Sequence, residues 1–136
     1  STWVTQPFHG RDGILFASLH EWPQAERILR ECLDIRARAA PDEWRTFNTR
    51  SMLGEALGGR GAFTEAEPLL IAGYEGLESH KSSIPPQAMN RLTESIRRLA
   101  DFYDAWDRAE PGKTHGAKAA EWRAKLQEST PPATDK

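Results

Sequence analysis

The sequence repeats itself at an offset of 41 residues, and this self-similarity limits the possible folds more than any single motif does. Residues 21–29 align with residues 62–70, and Gly13 aligns with Gly54 at the same offset. A looser third copy follows and contains an insertion over residues 110–116. A unit of about 40 residues, present two and a half to three times, predicts supersecondary units that bury their apolar faces against one another.

Each unit is predicted to contain two helices. Small and apolar residues of the second copy recur at the i, i+3, i+4, i+7, i+8 and i+11 spacing of one helical stripe. The stripe contains Ala66, Leu69, Leu70, Gly73, Tyr74 and Leu77. Thr64, with Glu67 three residues later, predicts a capping box at the start of this helix. Gly54 and Gly73 are predicted to lie where two helices cross closely.

Clusters of proline, glycine and serine separate the predicted helices, at residues 41–42, 58–61 and 82–86. No segment shows the period-two alternation of a strand, so the sequence predicts an all-α fold. The predicted helical domain covers 11–128, with repeats at about 11–40, 43–81 and 86–128, a poorly defined lead-in over 1–10 and a disordered tail over 129–136.

The pattern of large, small and glycine positions resembles the tetratricopeptide repeat (TPR). The matching residues are Leu53, Gly54, Leu57, Gly61, Phe63, Ala66, Leu70 and Gly73. The long period and residues 25–36 are similar to the kinesin-light-chain variety of the repeat. Residues 41–57 and 65–86 resemble the C-terminal tails of bacterial serine/threonine protein kinases of the planctomycete type. The resemblance implies a short right-handed α-α superhelix, or solenoid, of about three TPR-like helix pairs.

The resemblance also implies a binding surface, because the first helix of each repeat lines the concave face of a TPR array and receives a peptide or a partner helix. Carried onto this sequence, the partner-binding residues are Asn48, Ser51, Glu55, Glu94, Arg97, Asp101 and Asp104. Such a groove would prefer a basic or mixed-charge ligand, with Asn48 bonded to the peptide backbone. The alternative is that these are ordinary solvated residues of a helix face.

Composition excludes several classes of function. The net charge of −2 and the pI of about 6.1 argue against non-specific binding to nucleic acid. No apolar run approaches the roughly 20 residues that a membrane helix needs, so we expect a cytoplasmic location, although the parent protein could be membrane-anchored. The single cysteine, Cys32, cannot form an internal disulfide and is expected to be a small buried residue.

No constellation of catalytic residues is apparent, so we predict no enzyme and no catalytic, cofactor-binding or metal-binding residue in this segment. Four isolated histidines are expected at solvent-facing or turn positions: His9, His20, His80 and His115. Asp101, Asp104 and Asp107 are interpreted as a solvated helix face rather than a metal site. The predicted function is a protein-interaction scaffold, as a regulatory segment of a larger bacterial signalling protein such as a serine/threonine kinase. The alternative is a structural domain that self-associates as a homo-oligomer.

Overall fold

The computed structural model describes residues 22–129, and within that range it contains five α-helices and no strand. The helices are α1 (Trp22–Ala39), α2 (Trp44–Gly59), α3 (Phe63–Ser79), α4 (Asn90–Ala109) and α5 (His115–Ser129). Two short 3-10 turns, Lys81–Ser83 and Pro86–Ala88, connect α3 to α4. The predicted all-α class is confirmed. The predicted lead-in, the first helix of the first repeat and the tail from residue 130 onward lie outside the described residues.

Helices that are neighbours in sequence are also neighbours in space. Each of the five helices packs on the next one along the chain, and α2 also contacts α4. The predicted second repeat, 43–81, contains α2 and α3, and the predicted third repeat, 86–128, contains α4 and nearly all of α5. This order brings α2 and α4, the leading helices of these two repeats, side by side.

A glycine turn connects α2 to α3. Gly61 has a φ of 86°, a left-handed conformation that glycine adopts without a steric penalty. The amide of Gly61 donates to the carbonyl of Gly58 at 3.0 Å, and the amide of Ala62 donates to the carbonyl of Leu57 at 2.9 Å. These two bonds form a Schellman motif, which satisfies carbonyls at the end of α2 and stops the helix where the sequence predicts.

The backbones of α2 and α3 approach each other closely at two glycines, as the sequence predicts. A Cβ atom on Gly54 would lie 2.6 Å from the Leu70 side chain. A Cβ atom on Gly73 would lie 2.8 Å from the backbone nitrogen of Ser51. Since real Cβ atoms do not approach other atoms this closely, the α2–α3 pairing depends on the absence of a side chain at both positions.

Two clusters of buried apolar side chains form the core of the described residues. The larger one lies among all five helices, and Leu29, Leu57, Leu70 and Tyr103 are at most 2% exposed in it. A smaller cluster of Trp44, Leu77 and Ile84 closes the end of the α2–α3 pair near the 3-10 turns.

Two local predictions are wrong. The helix α3 begins at Phe63, and its N-cap is Ala62, so Thr64 already lies inside the helix and forms no capping box with Glu67. Ala62 takes the cap position because its amide is held by the Schellman motif at the end of α2. His115 is not exposed: it is 8% accessible and stacks on Trp106, with ring centroids 3.9 Å apart.

Candidate functional site

A groove runs between α2 and α4, and two side-chain stripes line it. Residues spaced i, i+3, i+7, i+10 and i+14 share one face of a helix. On α2 this stripe contains Arg45, Asn48, Met52, Glu55 and Gly59. On α4 the same spacing gives Arg91, Glu94, Arg98, Asp101 and Ala105. Members of both stripes line two separate hollows, so the stripes form one surface, which we call the α2–α4 groove.

Arg98 occupies the centre of the groove and ties α4 to α2. Its side chain is buried, with the residue 6% exposed. Its Nε donates to Glu55 Oε1 at 3.1 Å, its Nη1 donates to Ser51 Oγ at 3.1 Å, and its Nη2 lies 3.8 Å from Glu94 Oε1. A buried guanidinium needs such partners, because an unpaired charge in the interior is costly. The network therefore fixes the two walls of the groove relative to each other.

A hollow of about 160 Å³ opens at one end of the groove, where α2 ends, and we call it the acidic hollow. Its floor is apolar and is formed by Gly58, Gly59, Phe102 and Ala105. The missing side chain at Gly58 is what leaves the space, because a Cβ atom there would lie 3.0 Å from the Phe102 ring. The charged residues that line this hollow are Glu55, Asp101 and Arg98, so its net charge is negative. Glu55 is paired with Arg98, whereas Asp101 is exposed and has no ion-pair partner among the described residues.

A second hollow of about 190 Å³ lies near the start of both helices, and we call it the arginine hollow. Arg36 of α1, Arg45 of α2 and Arg91 of α4 line it, and none of its lining residues is acidic. Arg36 Nε donates to Cys32 Sγ at 3.2 Å, and Arg36 has no carboxylate partner among the described residues. Cys32 is half-buried here rather than buried.

Asn48 also lines the arginine hollow, and one atom of its amide has no partner. Asn48 Nδ2 lies 3.6 Å from Met52 Sδ, whereas Asn48 Oδ1 is buried and accepts no hydrogen bond within the described part of the chain. Buried polar atoms are rarely left without a partner in folded proteins. This oxygen is therefore an unsatisfied acceptor in a residue that lines the arginine hollow.

The structure brings four of the seven predicted site residues together on the groove: Asn48, Glu55, Glu94 and Asp101. Ser51 is 0% exposed beneath Arg98, so it cannot touch a ligand, and its prediction as a contact residue is wrong. Arg97 is exposed but lines neither hollow. Asp104 does not line them either, because it pairs with Arg123 of α5.

The sequence interpretation missed four arginines that the structure places in the groove: Arg36, Arg45, Arg91 and Arg98. Arg98 follows the predicted residue Arg97, and the spacing of Arg98 from Glu94 and Asp101 would have placed it on the same stripe. Arg91 lies on that stripe as well, near the start of α4. Arg36 belongs to α1, the second helix of its repeat, which the TPR pattern does not place on the binding face.

Two other polar clusters connect helices outside the groove. Tyr103 Oη donates to Glu67 Oε2 at 2.6 Å, and burial together with this carboxylate raises the pKa of Tyr103 well above its ordinary value of 10. Glu26 of α1 accepts from Arg60 at 2.6 Å and from Arg30 at 2.9 Å, and the bond from Arg60 is the main reason why the pKa of Glu26 is lowered. Both clusters hold neighbouring helices together.

No group of three or more histidine, cysteine or carboxylate side chains that could hold a metal ion occurs in residues 22–129. Across the same residues, no helix is both long enough and apolar enough to span a membrane. In the comparisons with known proteins, no family model, no curated protein and no solved structure gives a significant match to the chain. The interpretation of the site therefore depends on its geometry and on the pattern of the sequence.

Proposed function

We propose that the chain is a protein-interaction module of the tetratricopeptide type, and that the α2–α4 groove receives an extended segment of a partner protein. The observation that carries this proposal is the presence of two hollows along one groove, each large enough for a side chain. The helix pairs α2–α3 and α4–α5 follow the predicted repeats, which supports stacking as a short right-handed superhelix.

The dimensions of the groove suit a short peptide. Its α2 wall extends from Arg45 to Gly59, which corresponds to about 21 Å at 1.5 Å per helical residue. An extended peptide advances about 3.3 Å per residue, so about six residues would fill this length. An interface of this size is typical of weak and transient recognition, which is what a regulatory or scaffolding segment requires.

The wider context of the module is part of the same proposal. The resemblance of residues 41–57 and 65–86 to bacterial kinase tails supports a role as a regulatory or scaffolding segment of a larger signalling protein. In this role the groove would bring a substrate or a regulator to the rest of the parent protein. The segment itself would bind its partner without transforming it.

The test is a selection of peptides from a displayed random library on the immobilised chain, followed by affinity measurements on the selected peptides in solution. Asp101→Lys is the diagnostic variant, because Asp101 is exposed and holds no other residue in place. Glu75→Lys, an exposed change on α3, is the matched control. We expect selected peptides that lose about tenfold or more in affinity for the Asp101 variant, because the reversal removes a charge contact and adds a repulsion between like charges, and that lose no affinity for the control. Failure to select any peptide, or equal binding to both variants, would refute the proposal.

A second candidate function is self-association, and the observation in its favour is Ile35. This side chain, on α1, is 66% exposed and is the more exposed of the two large apolar side chains that face solvent within residues 22–129. Light scattering over a hundredfold range of concentration distinguishes the two functions. A mass that rises with concentration, and that falls back in an Ile35→Glu variant, would favour self-association.

A further inference from the structure

We propose that the α2–α4 groove selects a mixed-charge peptide in a fixed register. An acidic residue of the partner segment occupies the arginine hollow, and a lysine or arginine four positions away, on the same face of the extended peptide, occupies the acidic hollow. This inference rests on the proposed function and adds the chemistry and the spacing of the ligand.

The arginine hollow has the chemistry of a site for an acidic amino-acid residue. Three guanidinium groups and no acidic side chain line it. Arg45 and Arg91 are paired with carboxylates, so Arg36, which has no carboxylate partner among the described residues, is the source of the net positive charge that favours a carboxylate. Arg45 and Arg91 each have one carboxylate neighbour, Glu43 and Glu94, which leaves donors on both guanidinium groups.

Asn48 Oδ1 adds a second requirement to the same hollow. This acceptor has no partner and no surface exposed to solvent, so it gains a donor only when a ligand in the hollow turns the Asn48 side chain outward. An acidic residue within a peptide supplies both an anion and a donor, because its side chain carries the carboxylate and its backbone carries the N–H. A free carboxylate such as acetate supplies only the anion, so the hollow favours a peptide over a small carboxylate.

The acidic hollow has the complementary chemistry. Its apolar floor, with the Phe102 ring and Ala105, suits the aliphatic stem of a lysine or arginine. The carboxylate of Asp101 has no cation of its own and would meet the charged end of that side chain. The volume of about 160 Å³ is close to the roughly 150 Å³ of cavities that hold one benzene-sized group, so the hollow admits one side chain.

The helix geometry sets the distance between the two hollows. Asn48 and Gly58 line different hollows and are ten residues apart on α2, and Arg91 and Asp101 are ten residues apart on α4. Ten helical residues correspond to about 15 Å. An extended peptide covers that distance in about four to five residues at 3.3 Å each.

The middle of the groove does not change this charge pattern. Arg98 is paired with Glu55 and lies near Glu94, so the centre attracts neither sign of charge strongly. The orienting charges are therefore at the two ends. A ligand placed the other way round would bring like charges together at both hollows, which disfavours that arrangement.

The experiment uses the full chain and labelled ten-residue peptides with blocked termini in an alanine–serine–threonine background. The first series carries one Glu and one Lys, in both orders, at separations of two, four and five residues. The second series carries Glu at both positions or Lys at both positions, at a separation of four. Fluorescence anisotropy at low salt measures each affinity.

We expect the mixed-charge peptides at a separation of four to bind about tenfold more tightly than those at a separation of two or five, in one of the two orders, because residues five apart point to opposite faces of an extended peptide. Arg36→Glu should reverse the preference at its hollow, so that the peptide with two lysines replaces the mixed one. Asp101→Lys should favour the peptide with two glutamates. Arg45→Glu, at a half-exposed position, replaces Arg36→Glu if that variant does not fold. Arg27→Glu, exposed on α1 and outside both hollows, is the matched control and should change nothing.

Three results would overturn the inference. Affinities that do not depend on the separation would exclude a fixed register, and charge reversals without a switch of preference would exclude the assigned hollows. If inorganic phosphate displaced the mixed-charge peptide as any simple competing ion does, the arginine hollow would be a non-selective anion site. In each of these three cases the proposed function would still stand, provided that peptides selected from the library lose affinity for the Asp101 variant. If no library peptide binds, both proposals fail.

Discussion

The substitution Arg98→Ala tests whether the buried guanidinium holds α4 against α2. The change removes hydrogen bonds to Glu55 and Ser51 and leaves the Ser51 hydroxyl buried without its donor. Breaking a buried ion pair by deleting one partner costs about 3–5 kcal/mol. Glu55 keeps 34% of its side-chain surface exposed and regains water, so the expected loss in the free energy of unfolding is about 2–3 kcal/mol.

The assay is urea denaturation followed by circular dichroism, with the slope of the transition as a check that the compactness of the unfolded state is unchanged. Arg97→Ala is the matched control, because its exposed side chain should contribute at most about 0.5 kcal/mol. Ser51→Ala in both backgrounds measures the coupling across the Arg98–Ser51 hydrogen bond, for which we expect about 1 kcal/mol. A loss for Arg98→Ala no larger than that for Arg97→Ala would refute the view that this network fixes the groove.

Three further outcomes are expected. Gly73→Ala should lower the free energy of unfolding by about 2 kcal/mol or more, because its Cβ would meet the backbone of α2; unchanged urea denaturation would contradict this packing. Tyr103→Phe should cost about 1–2 kcal/mol at pH 7 through the lost bond to Glu67. Because the pKa of Tyr103 is raised, its contribution to the free energy of unfolding is complete below pH 10 and is lost as the pH rises above 10. In thermal melts above pH 10, the stability of the Phe variant should therefore decline less than that of the unchanged protein. Because the pKa of Glu26 is lowered, its contribution to the free energy of unfolding is present above pH 4.5 and is lost as the pH falls. The stability of the Glu26→Gln variant should therefore depend less steeply on pH in the acid range. An unchanged acid transition would contradict the pairing of Glu26 with Arg60.

Much of the helical framework could be predicted from the sequence because it depends on local signals. The glycine turn after α2 and the close approach at Gly54 and Gly73 follow from residue types that tolerate only a few backbone arrangements. The capping box failed for a related reason. Two signals compete at the α2–α3 turn: the capping box of Thr64 and Glu67, and the Schellman motif at the end of α2. The Schellman motif fixes Ala62 and determines where α3 begins.

The groove could be predicted only in part. Asn48, Glu55 and Asp101 lie on the groove, on the helices where the resemblance to the tetratricopeptide repeat implied a binding surface. The choice between Arg97 and Arg98 depends on the rotation of α4 about its own axis, which is set by packing against α2 at a distance of more than 40 residues in sequence. Arg36 reaches the groove from a third helix, α1, so no pattern within α2 or α4 predicts its position there.

The packing of each helix on its neighbour in the chain has a consequence for how the protein folds. Contacts between neighbours close short loops, so the relative contact order is low, and such chains fold within microseconds to milliseconds. The α2–α3 pair is the natural nucleus, because its glycine turn and its backbone-level contacts join residues that are close in sequence. We expect the α2–α4 groove to form after it, when α4 docks on this hairpin, so that the proposed binding surface is completed late in folding.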